Sequence, residues 1–385
     1  MGWQPPLNGP VLVVGPIEPP IGGVSRYCKA LAGLLRGTGA VAVQVDPARA
    51  IAPDAGFAGR VLRSGAGRVL GHPMLPVLLA VRRQGAALVL DNQQSLWRDP
   101  PSRRGHRLCG AVPYVLFVHD GAFPDHVSEL GPAGRSSVGR TLLRLSAVVC
   151  MSDVIERAVR EIAPGARTVR LAPLLRVPGG PPVSWPEALA AFLDRKGPLI
   201  SASGALHPQY GLEDLLQALE ILRGRGVPAR LLLLLGSFVE DGGSAARLAE
   251  ARRRLGEDSI LALRDFPDGA AAIGRSQVYV RPSRVDSFGL ALHEAMLASV
   301  PVVASNHPPR PRGVATYPAG DADALAAAIQ KMLEPPARAA AAALVPEQMR
   351  EVERSRRETL AFLSGLLSAP ADSRGPAGPV PAAGR

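Results

Sequence analysis

In "DSFGLALHE", residues 286–294, two carboxylates stand eight positions apart around a Phe-Gly pair. The segment follows the strand-like "VYVRPSRV" and leads into the helix-like "AMLAS". A glycine at a strand-to-helix turn lets a ligand come close to the backbone, and a helix start offers unpaired N–H groups to an anion. Gly289, flanked by Ser287, Phe288 and Leu290, is therefore placed to take a diphosphate on its amides. Glu294 falls inside the helix, about two turns beyond Asp286 at ~3.6 residues per turn. Its carboxylate can accept both hydroxyls of a ribose, and Asp286 can reach hydroxyls of a sugar beyond the phosphates. The residues alone also admit a plainer reading, in which Asp286 or Ser287 is an N-cap and Glu294 is a solvated helix residue.

A second glycine turn lies near the start of the chain, in "GPIEPPIGGVSRYCKAL" after the strand-like "VLVVG". Gly22 and Gly23 remove side chains at a helix start, where an anion can be met by free N–H groups. The spacing is not G-x-G-x-x-G and no acid is placed for a nicotinamide ribose, which excludes a dehydrogenase fingerprint. A proline-stiffened loop with a glycine helix start is the structural alternative. "YVLFVHDGAF" puts His119 and Asp120 at the end of a buried strand. A histidine there can donate a hydrogen bond to a sugar hydroxyl or phosphate, or be satisfied internally. His106 and Cys109, in the polar "RGHRLCG", indicate nothing specific.

The elements that must hold these residues are short apolar runs ending in polar residues or glycine. "VLVVG", "VAVQVD", "ALVLDN", "YVLFVHD", "AVVCMS" and "TVRLAP" alternate with helical patterns such as "VSRYCKALAGLLR" and "DVIERAVREIA". Nearly continuous apolar strands alternating with helices predict a parallel sheet covered on both faces. The rhythm breaks over residues 177–196, rich in Pro and Gly, which reads as a linker with a short helix. It restarts with "PLISASG", "RLLLLLG", "SILALRDF", "VYVRPS" and "PVVASN". Two doubly wound, Rossmann-like α/β domains are expected, over residues 1–176 and 197–345. A polar-faced helix over 346–367 and a flexible tail over 368–385 follow. Ligands of open parallel sheets bind beyond the carboxyl ends of strands. That rule selects Gly15, Asp91, His119 and Ser152 in the first domain, and Gly204, Gly236, Arg281 and Ser283 in the second. If the sheets face each other, these residues line one central cleft.

With 385 residues and 47% hydrophobic content, the chain can bury two cores. No apolar run is long and charge-free enough to span a bilayer, and "MGWQPPLNGP" lacks the layout of a signal peptide. A cytoplasmic protein is expected. Cys28, Cys109 and Cys150 are odd in number and widely separated, as small core residues are, and frame neither disulfides nor a metal site. The net charge of +11 is carried almost wholly by arginine, since Lys29, Lys196 and Lys331 are the only lysines. Such a balance suits a polyanionic or phosphorylated partner. Nucleic acid is disfavoured because aromatics make up only 4% and the arginines are dispersed. "RSSVGRTLLRL" and "GRVLRSGAGRVL" could rest on an anionic membrane surface, or be ordinary helices packed on their own sheet.

The stretch "RPSRVDSFGLALHEAMLASVPVVAS" resembles the signature of the family-4 glycosyltransferases, with two acids separated by seven residues, a Phe-Gly turn and a small-residue strand after it. The resemblance extends to "PIGGVSRYCKAL", "VHD", "CMSDVIERAV" and "GALHPQYGLEDLLQAL", and so over nearly the whole chain. "GPIEPPIGGVSRY", "GALHPQYG", "DSFGLALHEA" and "SNHPPRPRG" are most similar to bacterial members of polysaccharide or glycoconjugate assembly.

The resemblance implies a two-domain GT-B architecture, a UDP- or GDP-linked sugar donor held mainly by the second domain, no cofactor and no required metal. It implies retention of anomeric configuration without a protein nucleophile, and a glycan, lipid-linked or small-molecule acceptor. By position, Glu294 would bind the donor ribose, Asp286 the transferred sugar, and the amides of Ser287 to Leu290 the phosphates. His119 and the Gly22–Gly23 loop would approach from the first domain, and Gly204 would border the donor. Two departures stand out. Asp286 stands where glutamate is commoner, one methylene shorter. Ala205 and Tyr210 occupy the positions where the family usually places Arg and Lys to neutralise the diphosphate. Their absence motivates an alternative, a catalytically weak GT-B partner or regulator, unless His207, Arg281 or Arg284 compensates.

Overall fold

The apolar runs of the sequence become parallel strands. The structure, a computed structural model, describes residues 10–19, 21–46, 75–98, 109, 112–175, 185–236, 240–286 and 288–368. Contacts divide the chain into two units, one of Met1–Glu18, Val24–Leu174 and Ser355–Arg385, the other of Pro19–Gly23 and Leu175–Arg354.

The first unit runs β1 (Val11–Val14), α1 (Gly23–Gly37), β2 (Ala42–Val45), α2 (Leu75–Gln84), β3 (Leu88–Asp91) and α3 (Ser95–Arg98). It continues with β4 (Tyr114–Val118), α4 (Phe123–Glu129), α5 (Pro132–Leu142), β5 (Ala147–Cys150), α6 (Asp153–Ile162) and β6 (Thr168–Arg170). The strands are all parallel, in the order β2-β1-β3-β4-β5-β6. Every residue of β1, β3, β4 and β5 is buried, which is why these strands are apolar throughout and do not alternate. Cys28, Cys109 and Cys150 are buried free thiols, as their spacing suggested.

The second unit opens with α7 (Glu187–Leu193), β7 (Leu199–Gly204), a 3-10 turn (Pro208–Tyr210), α8 (Leu212–Gly224), β8 (Arg230–Leu235) and α9 (Gly242–Leu255). Then come β9 (Ile260–Arg264), α10 (Gly269–Ile273), β10 (Val278–Arg281), α11 (Leu290–Leu297), β11 (Val302–Ser305), β12 (Val314–Tyr317), α12 (Ala322–Met332) and α13 (Pro335–Ser368). Its parallel sheet has the order β12-β11-β10-β7-β8-β9. Alternate side chains of one strand feed opposite faces. Leu231, Leu233 and Leu235 join a core with Ile200, Leu215 and Ile329, while Leu232 and Leu234 join one with Tyr279, Leu292 and Val302.

Three features differ from the sequence expectation. The short helix α7, expected inside a linker, buries Leu189 and Phe192 in the second unit's core and so belongs to that unit. The strand β12 was not anticipated, because "VATY" is short and mostly only partly buried. Helix α13 begins at Pro335 and not at 346, with Pro346 inside it. The alanine run over 339–343 carries high helix propensity, so the helix continues through a proline that normally marks a boundary. The segments 176–184 and 369–385, read as linker and tail, lie outside the described residues.

Candidate functional site

In the second sheet β7 and β10 are neighbours, yet the chain leaves β7 toward β8 and β9, and leaves β10 toward β11 and β12. Loops departing in opposite directions open a crevice at the carboxyl ends of these two strands, where ligands of doubly wound sheets bind. Gly204 ends β7 and Arg281 ends β10. A Cβ on Gly204 would lie 2.7 Å from the ring of Tyr210, so that ring is seated directly on the strand end. Gly211, at φ 62°, closes the 3-10 turn in the left-handed region and packs onto the Pro282 carbonyl, leaving no room for a side chain.

The turn after β10 is built on a buried ionic cluster. Asp286 accepts hydrogen bonds from Arg281 Nε at 3.1 Å and Nη2 at 3.0 Å, and from Arg310 Nη1 at 2.9 Å. The Asp286 side chain is 4% exposed, that of Arg281 13% and that of Arg310 2%. Burial alone would raise the Asp286 carboxyl, but the two guanidinium groups outweigh it and push it down to about 2. Arg281 also donates to the Ser203 carbonyl at 3.0 Å and lies over the Tyr210 ring, 5.6 Å from its centre. Arg310 is tied to the end of β11, through the Ser305 carbonyl at 2.9 Å, Ser305 Oγ at 3.1 Å and the His307 carbonyl at 3.1 Å.

On this base Gly289 adopts φ 74° and serves as the N-cap of α11. A Cβ there would stand 3.2 Å from Asp286 Oδ2 and 3.8 Å from Arg310 Nη1, which places the turn directly over the ion pairs. Leu290 is the first residue of the helix. Phe288 stacks on His293 with ring centres 4.3 Å apart and planes nearly parallel, and His293 meets Gln348 of α13 at 3.2 Å. Burial pushes the His293 ring down to about 4, so it is neutral near pH 7. Glu294 is 4% exposed and therefore is not the solvated helix residue of the plainer reading. Burial raises the Tyr279 phenol and the charges of Asp286 and Glu294 raise it further, against the pull of Arg281, so both acids lie near one ring. Ser287 lies outside the described residues.

In the first unit the predicted residues gather at the carboxyl ends of β1, β3 and β4. Gly15 packs on Cys28 and Asn92, with a Cβ falling 2.6 Å from the thiol. Asn92 Nδ2 donates to the Val14 and Leu90 carbonyls, which leaves its Oδ1 as the acceptor for His119 Nε2 at 2.9 Å. His119 therefore carries its proton on Nε2 and offers Nδ1 as an acceptor. Burial pushes the ring down to about 3, holding it neutral. The ring is thus satisfied internally, one of the two readings the sequence left open, and with Nε2–H on Asn92 its Nδ1 is the nitrogen able to accept from a hydroxyl. Asp120 is taken up by the Ala122 amide at 2.9 Å and by Arg98 at 2.9 Å, and Ser152 caps α6 through the Ile155 amide. Gly23 begins α1, with open space where a Cβ would go, and Gly22 precedes it. Gly22 and Gly23 close the second unit's Pro19–Gly23 segment, in which the Ile21 amide donates to Asp265 Oδ1 of the same unit at 2.8 Å.

Sequence reasoning placed the turn and both acids but missed Arg310 and the Phe288–His293–Gln348 contact. Among the described residues, no group of His, Cys, Asp or Glu is arranged to hold a metal ion, and no helix is long and apolar enough to cross a membrane.

Residues 197–335 match the family model for glycosyl transferases group 1. Among curated proteins none matches the sequence. The fold is similar to that of sucrose-phosphate synthase from Thermosynechococcus elongatus, at 19% identity and a TM-score of 0.67, over 94% of this chain and 98% of that one. Anabaena HepE, solved with UDP and glucose, is 16% identical with a TM-score of 0.69, over 93% of this chain and 100% of its own. The UDP-forming trehalose-phosphate synthase from Burkholderia xenovorans is 15% identical with a TM-score of 0.65, over 93% and 99%. This chain has the GT-B fold of those structures, and residues 197–335 are similar to the group 1 glycosyl transferases.

Proposed function

We propose that the protein is a glycosyltransferase that moves a sugar from a nucleotide-diphosphate sugar to an acceptor hydroxyl, with retention of anomeric configuration and without a metal. The observation that carries this reading is the strand-turn-helix over 278–297. It buries the side chains of Asp286 and Glu294 on either side of a left-handed glycine turn at the switch point of the sheet, inside the segment that matches the family model. The likeness to HepE, solved with UDP-glucose, supports a UDP-linked donor.

In this reading the amides of Ser287 to Leu290 take the diphosphate, Glu294 the ribose hydroxyls, and Gly204 borders the donor. The protein orients the reactants and stabilises the charge that grows on the leaving diphosphate. The acceptor is a glycan, a lipid carrier or a small metabolite, and the protein works in the cytoplasm, with any membrane contact peripheral.

A panel of UDP- and GDP-sugars tests the reading in two steps. A matching donor raises the melting temperature, because it binds the folded state. Slow release of nucleoside diphosphate from that donor, undiminished by EDTA, follows without knowledge of the acceptor. Binding without release, even with acceptors supplied, would favour a catalytically weak partner protein, the reading that Ala205 and Tyr210 motivate. No thermal shift with any nucleotide would overturn both.

A further inference from the structure

A diphosphate on the Gly289 turn needs positive charge beyond backbone dipoles, and positions 205 and 210, beside the same strand end, hold alanine and tyrosine. Three side chains were available to compensate, and the geometry separates them. His207 spends Nδ1 on the Gln209 amide, capping the 3-10 turn. Arg284 is bound to Asp214 at 2.9 Å, whose other oxygen holds the Gly320 amide, so it braces α8. Arg284 also faces Glu213 at 4.0 Å, so two carboxylates offset its charge, whereas Arg281 ends β10 between the Ser203 carbonyl, the Tyr210 ring and Asp286.

An Arg281–Asp286 pair by itself would be neutral and of little use to an anion. Arg310 changes that balance, because the two guanidinium groups share one carboxylate and the trio carries a net positive charge. Donor counting distinguishes the two arginines. Each guanidinium has five N–H donors. Among the described residues Arg281 uses three of them and keeps two, with 13% of its side chain exposed. Arg310 uses four and is 2% exposed. The first has donors to offer a ligand, while the second is fixed in the framework.

We propose that Arg281 is the cation that meets the donor's diphosphate, and that Arg310 is a positioning residue which, through Asp286, holds Arg281 in place and keeps the three-residue cluster net positive. This rests on the glycosyltransferase reading above and deepens it. The chain has moved its phosphate-binding charge from the loop after β7 to the end of β10, and Tyr210 supplies the ring against which the relocated guanidinium is stacked.

The test compares a nucleoside with its diphosphate, uridine with UDP and guanosine with GDP, on the full-length protein by calorimetry and saturation-transfer NMR. If wild type binds neither diphosphate, the glycosyltransferase reading fails and not this one alone. Where wild type binds, Arg281→Ala is expected to weaken the diphosphate about 10- to 100-fold, the range of one charge-assisted hydrogen bond, and to leave the nucleoside unchanged. Arg310→Ala should lower the same ratio by a smaller factor. A purely structural role would instead weaken nucleoside and diphosphate alike, and that outcome, or no change in either, overturns the proposal. Should Arg281→Ala fail to fold, Arg281→Lys keeps the charge but loses the fork. A several-fold selective loss for the diphosphate then supports the assignment, and an unchanged ratio refutes it.

Discussion

Removing Asp286 is the sharpest probe of how the turn before α11 is supported. Its carboxylate accepts three charge-assisted hydrogen bonds at 3.1, 3.0 and 2.9 Å and is 4% exposed. Asp286→Ala strands two buried guanidinium groups without their counter-ion. Breaking a buried pair from one side costs about 3–5 kcal/mol, several times a surface pair at roughly 0–1 kcal/mol. In a unit of about 180 residues that corresponds to a melting-point drop of roughly 6–20 °C. Urea denaturation followed by hydrogen exchange in peptides covering 278–297 separates this unit from the other. The wild-type contribution has a defined pH signature. The folded carboxyl sits at about 2, below its ordinary value, so its stabilisation is present above about pH 4 and is lost as pH falls toward 2. Asp286→Ala should lack that acid-side loss. A destabilisation under about 1 kcal/mol, with the acid limb unchanged, would refute the claim that the ion cluster underlies the turn.

Other substitutions probe neighbouring parts of the argument. Gly289→Ala forces a side chain into the left-handed region at φ 74° and against Asp286 Oδ2, with an expected loss of about 1–3 kcal/mol in urea denaturation. Gly289→Asn should lose less, since asparagine tolerates that region. Glu294→Ala is expected to weaken nucleoside-diphosphate affinity by about 1.5–3 kcal/mol, and unchanged affinity in a folded variant would remove Glu294 from the ribose. Asp91 carries the opposite pH sign from Asp286. Burial pushes it up to about 6, against the pull of its Tyr114 and Gln93 hydrogen bonds, so its ionisation erodes stability as pH rises from about 4 to about 6. Asp91→Asn should flatten that segment of the stability curve, by up to about 3 kcal/mol, and an unaltered slope would place the group elsewhere.

Strands were legible because buried parallel strands must be apolar along their whole length, and "RLLLLLG" or "YVLFVHD" can hardly be anything else. The turn over 286–294 was legible because its acids and glycine are local. Arg310 was not, since it reaches Asp286 from 24 residues away, past a helix and a strand. Nothing in "PPRPRG" distinguishes it from Arg312, which lies 81% exposed beside Glu347. The tautomer of His119 was equally hidden, because it is fixed by Asn92 on another strand. Helix α13 was misjudged at its start because Pro346 was weighed as a boundary above the helix propensity of the alanine run that precedes it.

The division of the chain has a consequence for its birth on the ribosome. The first unit takes residues from both ends, since Ser355 closes onto the Ala172 carbonyl and Arg167 lies over Phe362. Leu363 and Leu366 of that returning segment are almost fully buried. Between Leu174 and Ser355 the ribosome must add about 180 residues, roughly ten to forty seconds of synthesis at 5–20 residues per second. For that interval the amino-terminal half waits with an apolar seat uncovered, while the half containing the Gly289 turn, contiguous but for Pro19–Gly23, can close as soon as it emerges.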